Sequence, residues 1–166
     1  MNKIRTDVNF DVIFGPAYKG ISLGAIVSSA LYAQYGVNVD FTYNRKEVKD
    51  HGEGGQLVGA CMANKRVLII DDVITAGTAI RESYDLLTSV NAIPMGVMIA
   101  LDRAEIRSLD DPKSAVQAVE RDLSIPVTSI ITLVELQRFL EEQPSDIYDT
   151  STLQSVIDYR KEYGAL

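Results

Sequence analysis

Lys65-Arg-Val-Leu-Ile-Ile-Asp-Asp-Val-Ile-Thr-Ala-Gly-Thr-Ala79 decides how the rest of the chain is read. Arg66 to Ile70 is a short β-branched apolar run, the composition of a strand buried on both faces of a parallel sheet, and it stops at two adjacent acids, Asp71 and Asp72. Thr75, Ala76, Gly77 and Thr78 are small or hydroxylic, and helical periodicity runs from Thr78 to Leu87. The stretch predicts a strand, a tight loop and a helix start. At such a junction the loop and first-turn N–H groups lack intrahelical partners, and the helix dipole adds partial positive charge, so a phosphate fits there. Gly77 allows close approach and the hydroxyls of Thr75 and Thr78 can donate to phosphate oxygens. Carboxylates repel phosphate, so Asp71 and Asp72 must face a sugar diol, a hydrated metal or both. A ribose phosphate meets all of these demands.

Size and charge narrow the field further. The 166 residues, 46% hydrophobic, suit one domain with a real core, spanning residues 1–166. No apolar run reaches membrane-spanning length and the first residues carry no apolar leader, so a cytoplasmic protein is expected. A single cysteine, Cys61, rules out an internal disulfide and a cysteine cluster for zinc. A net charge of −7 argues against nucleic acid as a partner. The local exception is Arg45, Lys46 and Lys49, with the only histidine, His51, beside them: a basic loop in an acidic protein suits a small polyanion.

Outward from the deciding stretch, strands alternate with helices. Phe10 to Phe14 reads as a first strand stopped by Gly15-Pro16, Gly20 to Tyr35 as a buried helix stopped by Gly36, and Val37 to Tyr43 as a second strand. Residues 44–56 have no apolar face and three glycines, the pattern of a flexible loop. A short strand is expected over Leu57 to Met62, and the helix after the acids should run to about Val90. Ile93 to Leu101 reads as a buried strand ending at Asp102 and Arg103, Lys113 to Asp122 as a helix, and Val127 to Ile131 as a strand. Leu133 to Glu142 and Thr150 to Tyr163 read as helices. The expected fold is α/β, a doubly wound, mainly parallel sheet flanked by helices. Ligands of such sheets bind outside the carboxyl ends of the strands, and the charged and glycine-rich features fall at four of those ends.

These residues resemble a known family. The acid pair followed by Thr75-Ala76-Gly77-Thr78 resembles the phosphoribosyl diphosphate (PRPP) signature of the type I phosphoribosyltransferases. Within that group, Gly15-Pro-Ala-Tyr-Lys-Gly20, Asn44-Arg-Lys-Glu-Val-Lys-Asp-His-Gly-Glu53 and Ala100-Leu-Asp-Arg103 resemble the orotate phosphoribosyltransferases. The resemblance implies transfer of the phosphoribosyl group of PRPP to orotate, giving orotidine 5′-monophosphate and pyrophosphate in pyrimidine biosynthesis. It implies PRPP contacts from Tyr18, Lys19, Arg45, Lys46, Lys49, His51, Asp71, Asp72, Val73, Ile74, Thr75, Ala76, Gly77, Thr78 and Ala79. Lys49, His51, Asp71 and Asp72 would be catalytic, and Thr75 and Arg103 would meet orotate. Magnesium is expected as cofactor, carried by PRPP rather than by protein ligands, with Asp72 reached through water. A homodimer is implied, its loop 44–56 reaching the neighbouring site, as is an unusual peptide bond between Ala17 and Tyr18.

Other readings stand beside this one. Arg103 fits equally an ordinary salt bridge with Asp102 or Glu105 or a contact with orotate's carboxylate, and the resemblance favours the second. Relatives carry an N-terminal hood ahead of the first core strand, which this chain is expected to lack. A non-catalytic PRPP-binding module, or a type I transferase for another base, is therefore the alternative. A P-loop nucleotidase is excluded, since G-x-x-x-x-G-K-[ST] is absent.

Overall fold

The computed structural model describes residues 9–49, 55–108, 111–143 and 149–164. In chain order the elements are β1 (Val12–Gly15), α1 (Lys19–Tyr35), β2 (Asp40–Lys49), β3 (Gly55–Gly59), β4 (Arg66–Val73), α2 (Thr78–Ser89) and β5 (Ile93–Asp102). They continue with β6 (Ile106–Ser108), β7 (Asp111–Ser114), α3 (Ala115–Leu123), β8 (Val127–Thr132), α4 (Leu133–Glu142) and α5 (Thr150–Tyr163).

Strand alternation builds a core on each face of one sheet, because successive side chains point to opposite sides. Val12, Phe14, Val67, Ile69, Val97 and Ile99 pack on one face against Ile80 and Leu87 of α2 and Val116 and Val119 of α3. Ile13, Leu68, Ile70 and Met98 pack on the other with Leu31 of α1, which is joined by Leu23 and Val27. Phe14 and Ile69 are fully buried, and truncating Ile69 to alanine would cost about 2–5 kcal/mol. Beyond α1 that second face opens into an apolar groove lined by Leu23, Val27, Ile70, Met98 and Ile130.

The sheet order is β3-β2-β1-β4-β5-β8, with β6 and β7 forming a separate hairpin. All neighbours in the sheet run parallel except the edge pair β2 and β3. From β1 the chain winds through α1 to β2, whereas from β4 it winds through α2 to β5 in the opposite direction along the sheet. The switch point, where a ligand crevice opens in this class of fold, therefore lies between β1 and β4.

Several boundaries differ from the sequence expectation: β1 covers Val12–Gly15 rather than Phe10 to Phe14, and β2 starts at Asp40 rather than Val37. Asn44–Lys49, expected inside a flexible loop over 44–56, form the second half of β2, and β3 begins at Gly55. The cause is antiparallel pairing at the sheet edge, Tyr43 opposite Val58 and Asn44 opposite Leu57, which needs no apolar face and so leaves no hydrophobic signature. Residues 50–54 of that segment lie outside the described residues. Strand β4 runs past Ile70 through both acids to Val73, because β5 continues alongside it with Asp71 opposite Ile99 and Val73 opposite Leu101. Residues 111–114 are strand β7, and α3 starts only after Ser114, whose side chain and that of Gln117 close a capping box. The strand expected over Leu57 to Met62 ends at Gly59, where φ is 124°. Gly36 ends α1 as expected, with φ 65° and its N–H returned to the carbonyls of Leu31 and Tyr32.

Candidate active site

The helices of the sheet fall into two kinds at their N-termini. Ser114, Thr132 and Asp149 cap α3, α4 and α5 with side-chain oxygens that accept from first-turn N–H groups. The heads of α1 and α2 have no side-chain cap: Tyr18 and Gly77 occupy the N-cap positions. These two uncapped heads follow β1 and β4, the strands on either side of the switch point. Their free N–H groups and positive dipole ends are available to anions.

At the α2 head, Asp71, Val73, Ile74, Thr75, Ala76, Gly77, Thr78, Ala79 and Ile80 line a cavity of about 240 Å³. Thr75, Ala76, Thr78 and Ala79 are exposed, while Ile74 and Gly77 are buried and root the loop in the core. Gly77 adopts φ 77°, a left-handed conformation that disfavours a side chain. A Cβ there would also lie 2.5 Å from Arg81 Nη1 and 2.7 Å from Val119 Cγ2. Arg81 braces the loop from behind: Nη1 donates to the Ala76 carbonyl at 3.0 Å and Nη2 to Asp122 Oδ2 at 2.7 Å. Neither Arg81 nor Asp122 was singled out in the sequence. Arg81 reads there as one more polar position on an amphipathic helix, and its partner lies 41 residues away.

The loop after β1 closes on itself through two glycines. A Cβ on Gly15 would lie 2.1 Å from the Gly20 carbonyl oxygen, and one on Gly20 would lie 2.8 Å from the Ile70 carbonyl oxygen of β4. This close approach is the reason that Gly flanks the bulky Tyr18 and Lys19. The Ala17–Tyr18 peptide bond is cis, as expected at that place. Asn44 Oδ1 accepts from the Ala17 N–H at 2.8 Å and so ties β2 to this loop, another contact the sequence did not reveal. Tyr18, Arg45 and Lys46 share one open concavity with Tyr43, and Lys46 Nζ sits 4.9 Å from the centre of the Tyr18 ring. Lys49 ends β2 by its backbone, but its side chain and His51 lie outside the described residues.

Asp71 and Asp72, consecutive in a strand, start out on opposite faces. Asp72 meets Lys19 at the head of α1, Nζ to Oδ2 2.5 Å. Asp71 lines the α2 cavity, and its Oδ1 accepts from the Asp72 N–H at 2.9 Å. Burial pushes the Asp71 carboxyl up from its ordinary range, only partly offset by that backbone donor. Burial also acts upward on Asp72, but the Lys19 ammonium and the Val73 N–H outweigh it and hold this carboxyl below the usual value. Lys19 is correspondingly raised by Asp72. One acid is thus paired with a cation and the other is half-desolvated, and two neighbouring carboxyls perturbed in opposite directions in a crevice mark a candidate functional site. Among the described residues no three His, Cys, Asp or Glu side chains converge on a metal position. A magnesium ion held mainly by substrate oxygens fits two adjacent carboxylates better than a protein cage would.

Arg103, just past β5, lies on the strand next to the acids. Its Nε is 3.0 Å from Glu105 Oε1, so the ion pair weighed in the sequence is present, with Glu105 rather than Asp102. Asp102 Oδ1 instead accepts from the Ala104 N–H at 2.8 Å, and Ala104 takes φ 51° in the turn.

Known proteins bear on this arrangement. A family described as phosphoribosyl transferase domain matches residues 1–127. An orotate phosphoribosyltransferase of Thiobacillus denitrificans is 53% identical over 161 residues, 97% of this chain and 73% of the relative. One from Stenotrophomonas maltophilia is 48% identical over 159 residues, 96% of this chain and 71% of the relative. The crystal structure of orotate phosphoribosyltransferase from Francisella tularensis superposes with TM-score 0.79 at 38% identity, covering 97% of this chain and 74% of that one. With a phosphoribosyl transferase domain matched over most of its length and relatives about half identical over nearly all of it, the chain belongs to the orotate phosphoribosyltransferase family.

Proposed function

We propose that this chain transfers the phosphoribosyl group of PRPP to orotate, releasing pyrophosphate and forming orotidine 5′-monophosphate for pyrimidine synthesis. The observation that carries this reading is the pair of uncapped helix heads flanking Asp71 and Asp72, while the other three helices cap themselves. Two anionic groups and a sugar diol between them match a ribose with a phosphate at one end and a diphosphate at the other.

In this reading the N–H groups of residues 75–79 and the hydroxyls of Thr75 and Thr78 hold the 5-phosphate. Lys19 and the head of α1, beside Tyr18, take the diphosphate, with Arg45 and Lys46 approaching from β2. Lys19 must leave Asp72 to do so, which is cheap, because an exposed ion pair of this kind contributes little. Asp71 and Asp72 orient the ribose hydroxyls. Their charge opposes the positive charge that develops at C1 as the bond to the diphosphate oxygen breaks and the bond to the orotate ring nitrogen forms. Asp71 and Asp72 would help to place a magnesium ion carried by the diphosphate, and that ion would supply charge neutralisation on the leaving group. The Arg103 fork and Thr75 hold orotate. Lys49 and His51 close over the leaving group and exclude water.

The protein acts as a single cytoplasmic domain that pairs as a homodimer, residues 44–56 serving the neighbouring site. Among the described residues no helix is long and apolar enough to cross a membrane. The test is to mix the protein with magnesium, PRPP and orotate, follow the loss of orotate absorbance, and measure PRPP binding separately by calorimetry. PRPP-dependent orotate consumption is expected. PRPP binding without it would instead identify a regulatory PRPP module.

A further inference from the structure

The turn that carries Arg103 is held by a part of the chain remote from it in sequence. Tyr159, in α5, donates its hydroxyl hydrogen to Glu105 Oε1, the same oxygen that lies 3.0 Å from Arg103 Nε. Arg103 Nη1 in turn donates to the Tyr159 hydroxyl oxygen at 3.5 Å. Just beyond α5, Gly164 pairs with Glu105 in an antiparallel β-bridge, and the Tyr163 ring packs on Tyr159 with centroids 4.9 Å apart. The three side chains are largely buried, Arg103 29% and Glu105 20% exposed. Arg103 Nε approaches Glu105 without a hydrogen-bond angle, a buried donor held in place by charge and packing. Nη2 finds no acceptor among the described residues.

A guanidinium loses side-chain freedom when it is fixed, so an arginine fixed before its ligand arrives binds a planar carboxylate at lower cost. Here Nε faces Glu105 and one Nη1 N–H is engaged by the Tyr159 hydroxyl, which leaves Nη2 and the second Nη1 N–H to donate to a carboxylate in two parallel hydrogen bonds. Glu105 lifts the Tyr159 phenol above its ordinary range, so the hydroxyl stays protonated and keeps donating throughout neutral pH.

We propose that Tyr159, acting through Glu105, is a positioning residue for Arg103, so that affinity for the base depends on the C-terminal helix while affinity for PRPP does not. This rests on the reading of Arg103 as the orotate contact. The experiment compares Tyr159→Phe, Glu105→Gln, Arg103→Ala and the double variant Tyr159→Phe with Arg103→Ala, measuring KM for each substrate, kcat and the thermal midpoint. Tyr159→Phe keeps the ring packing and removes both hydrogen bonds of the hydroxyl, to Glu105 and from Arg103; it should raise KM for orotate about fivefold, with KM for PRPP and the midpoint unchanged. Glu105→Gln should move orotate KM in the same direction. In the double variant orotate KM should equal that of Arg103→Ala alone, since the tyrosine works only through the arginine. Equal rises in both KM values, or a further loss in the double variant, would overturn the proposal. If Arg103→Ala raises orotate KM and Tyr159→Phe does not, only the positioning role falls. If Arg103→Ala leaves orotate KM unchanged, the base-contact reading falls and the positioning role with it.

Discussion

The turn after β4 and the turn after β5 sit side by side at one sheet edge, yet they are built on different principles. The first presents main-chain N–H groups at an uncapped helix head, whose directions are fixed as soon as strand, loop and helix exist. Bracing it takes one guanidinium, Arg81, against the Ala76 carbonyl. The second offers a side chain on a long flexible stem, and the structure surrounds that stem with Glu105 and Tyr159. Backbone donors arrive preorganised, while a side-chain donor has to be held by something else. On the proposed reading, phosphate recognition would be local in sequence, whereas base recognition would draw on Tyr159, 56 positions from Arg103.

The sharpest division between the two turns comes from the acids. Replacing both Asp71 and Asp72 by Asn keeps the volume and removes the charge that opposes the cationic ribose. kcat should fall at least about 100-fold, with the circular dichroism spectrum retained. Unchanged turnover would remove the acids from the mechanism and leave the phosphate loop a plain anion site. A smaller effect is expected from Gly77→Ala, which puts a methyl group against Arg81 and Val119 at φ 77°. KM for PRPP should rise about tenfold with KM for orotate unchanged, from a left-handed penalty of about 1–2 kcal/mol. That is the mirror image of Tyr159→Phe. If Gly77→Ala moved both constants together, the two turns would be one coupled unit and the comparison would fail.

The same contrast explains what could be read from the sequence. The placement of the acid pair, of Gly77 and of the glycines around Tyr18 and Lys19 was legible because each is fixed by contacts within a short stretch of strand and loop, which the sequence prints as a short motif. Helices α4 and α5 were legible to the residue, since amphipathic periodicity marks them and their capping residues stand at the boundary. Asn44, Arg81, Glu105 and Tyr159 carry no such mark. Their functions arise from pairs 27, 41 and 54 residues apart, and an isolated Tyr in a helix reads as ordinary packing. Strand β2 was cut short for a related reason: its outer half pairs with β3 at Asn44 and Lys49, across an irregular register, and pairing between strands leaves no hydrophobic pattern.

The finest test separates the two acids from each other. Burial holds the Asp71 carboxyl above its unfolded value, so its ionised form is disfavoured in the folded protein. Its contribution to stability is complete below the unfolded pKa near 3.8 and is lost as pH rises through the folded value, which leaves a net cost at neutral pH. Asp72 has the opposite sign: its folded value is lowered, and its contribution is present above the unfolded pKa and lost as pH falls. Asp71→Asn should therefore raise the thermal midpoint at pH 7, by about 2 °C or less given solvent screening, and the gain should vanish toward pH 4. Asp72→Asn loses its partner Lys19, whose side chain is 74% exposed, and should leave the midpoint level or slightly lower. Both variants should be impaired in transfer, so stability rising in one while activity falls in both would mark Asp71 as an acid kept at a cost for its function. A midpoint that drops with Asp71→Asn would instead make that carboxylate a structural partner of the Asp72 N–H.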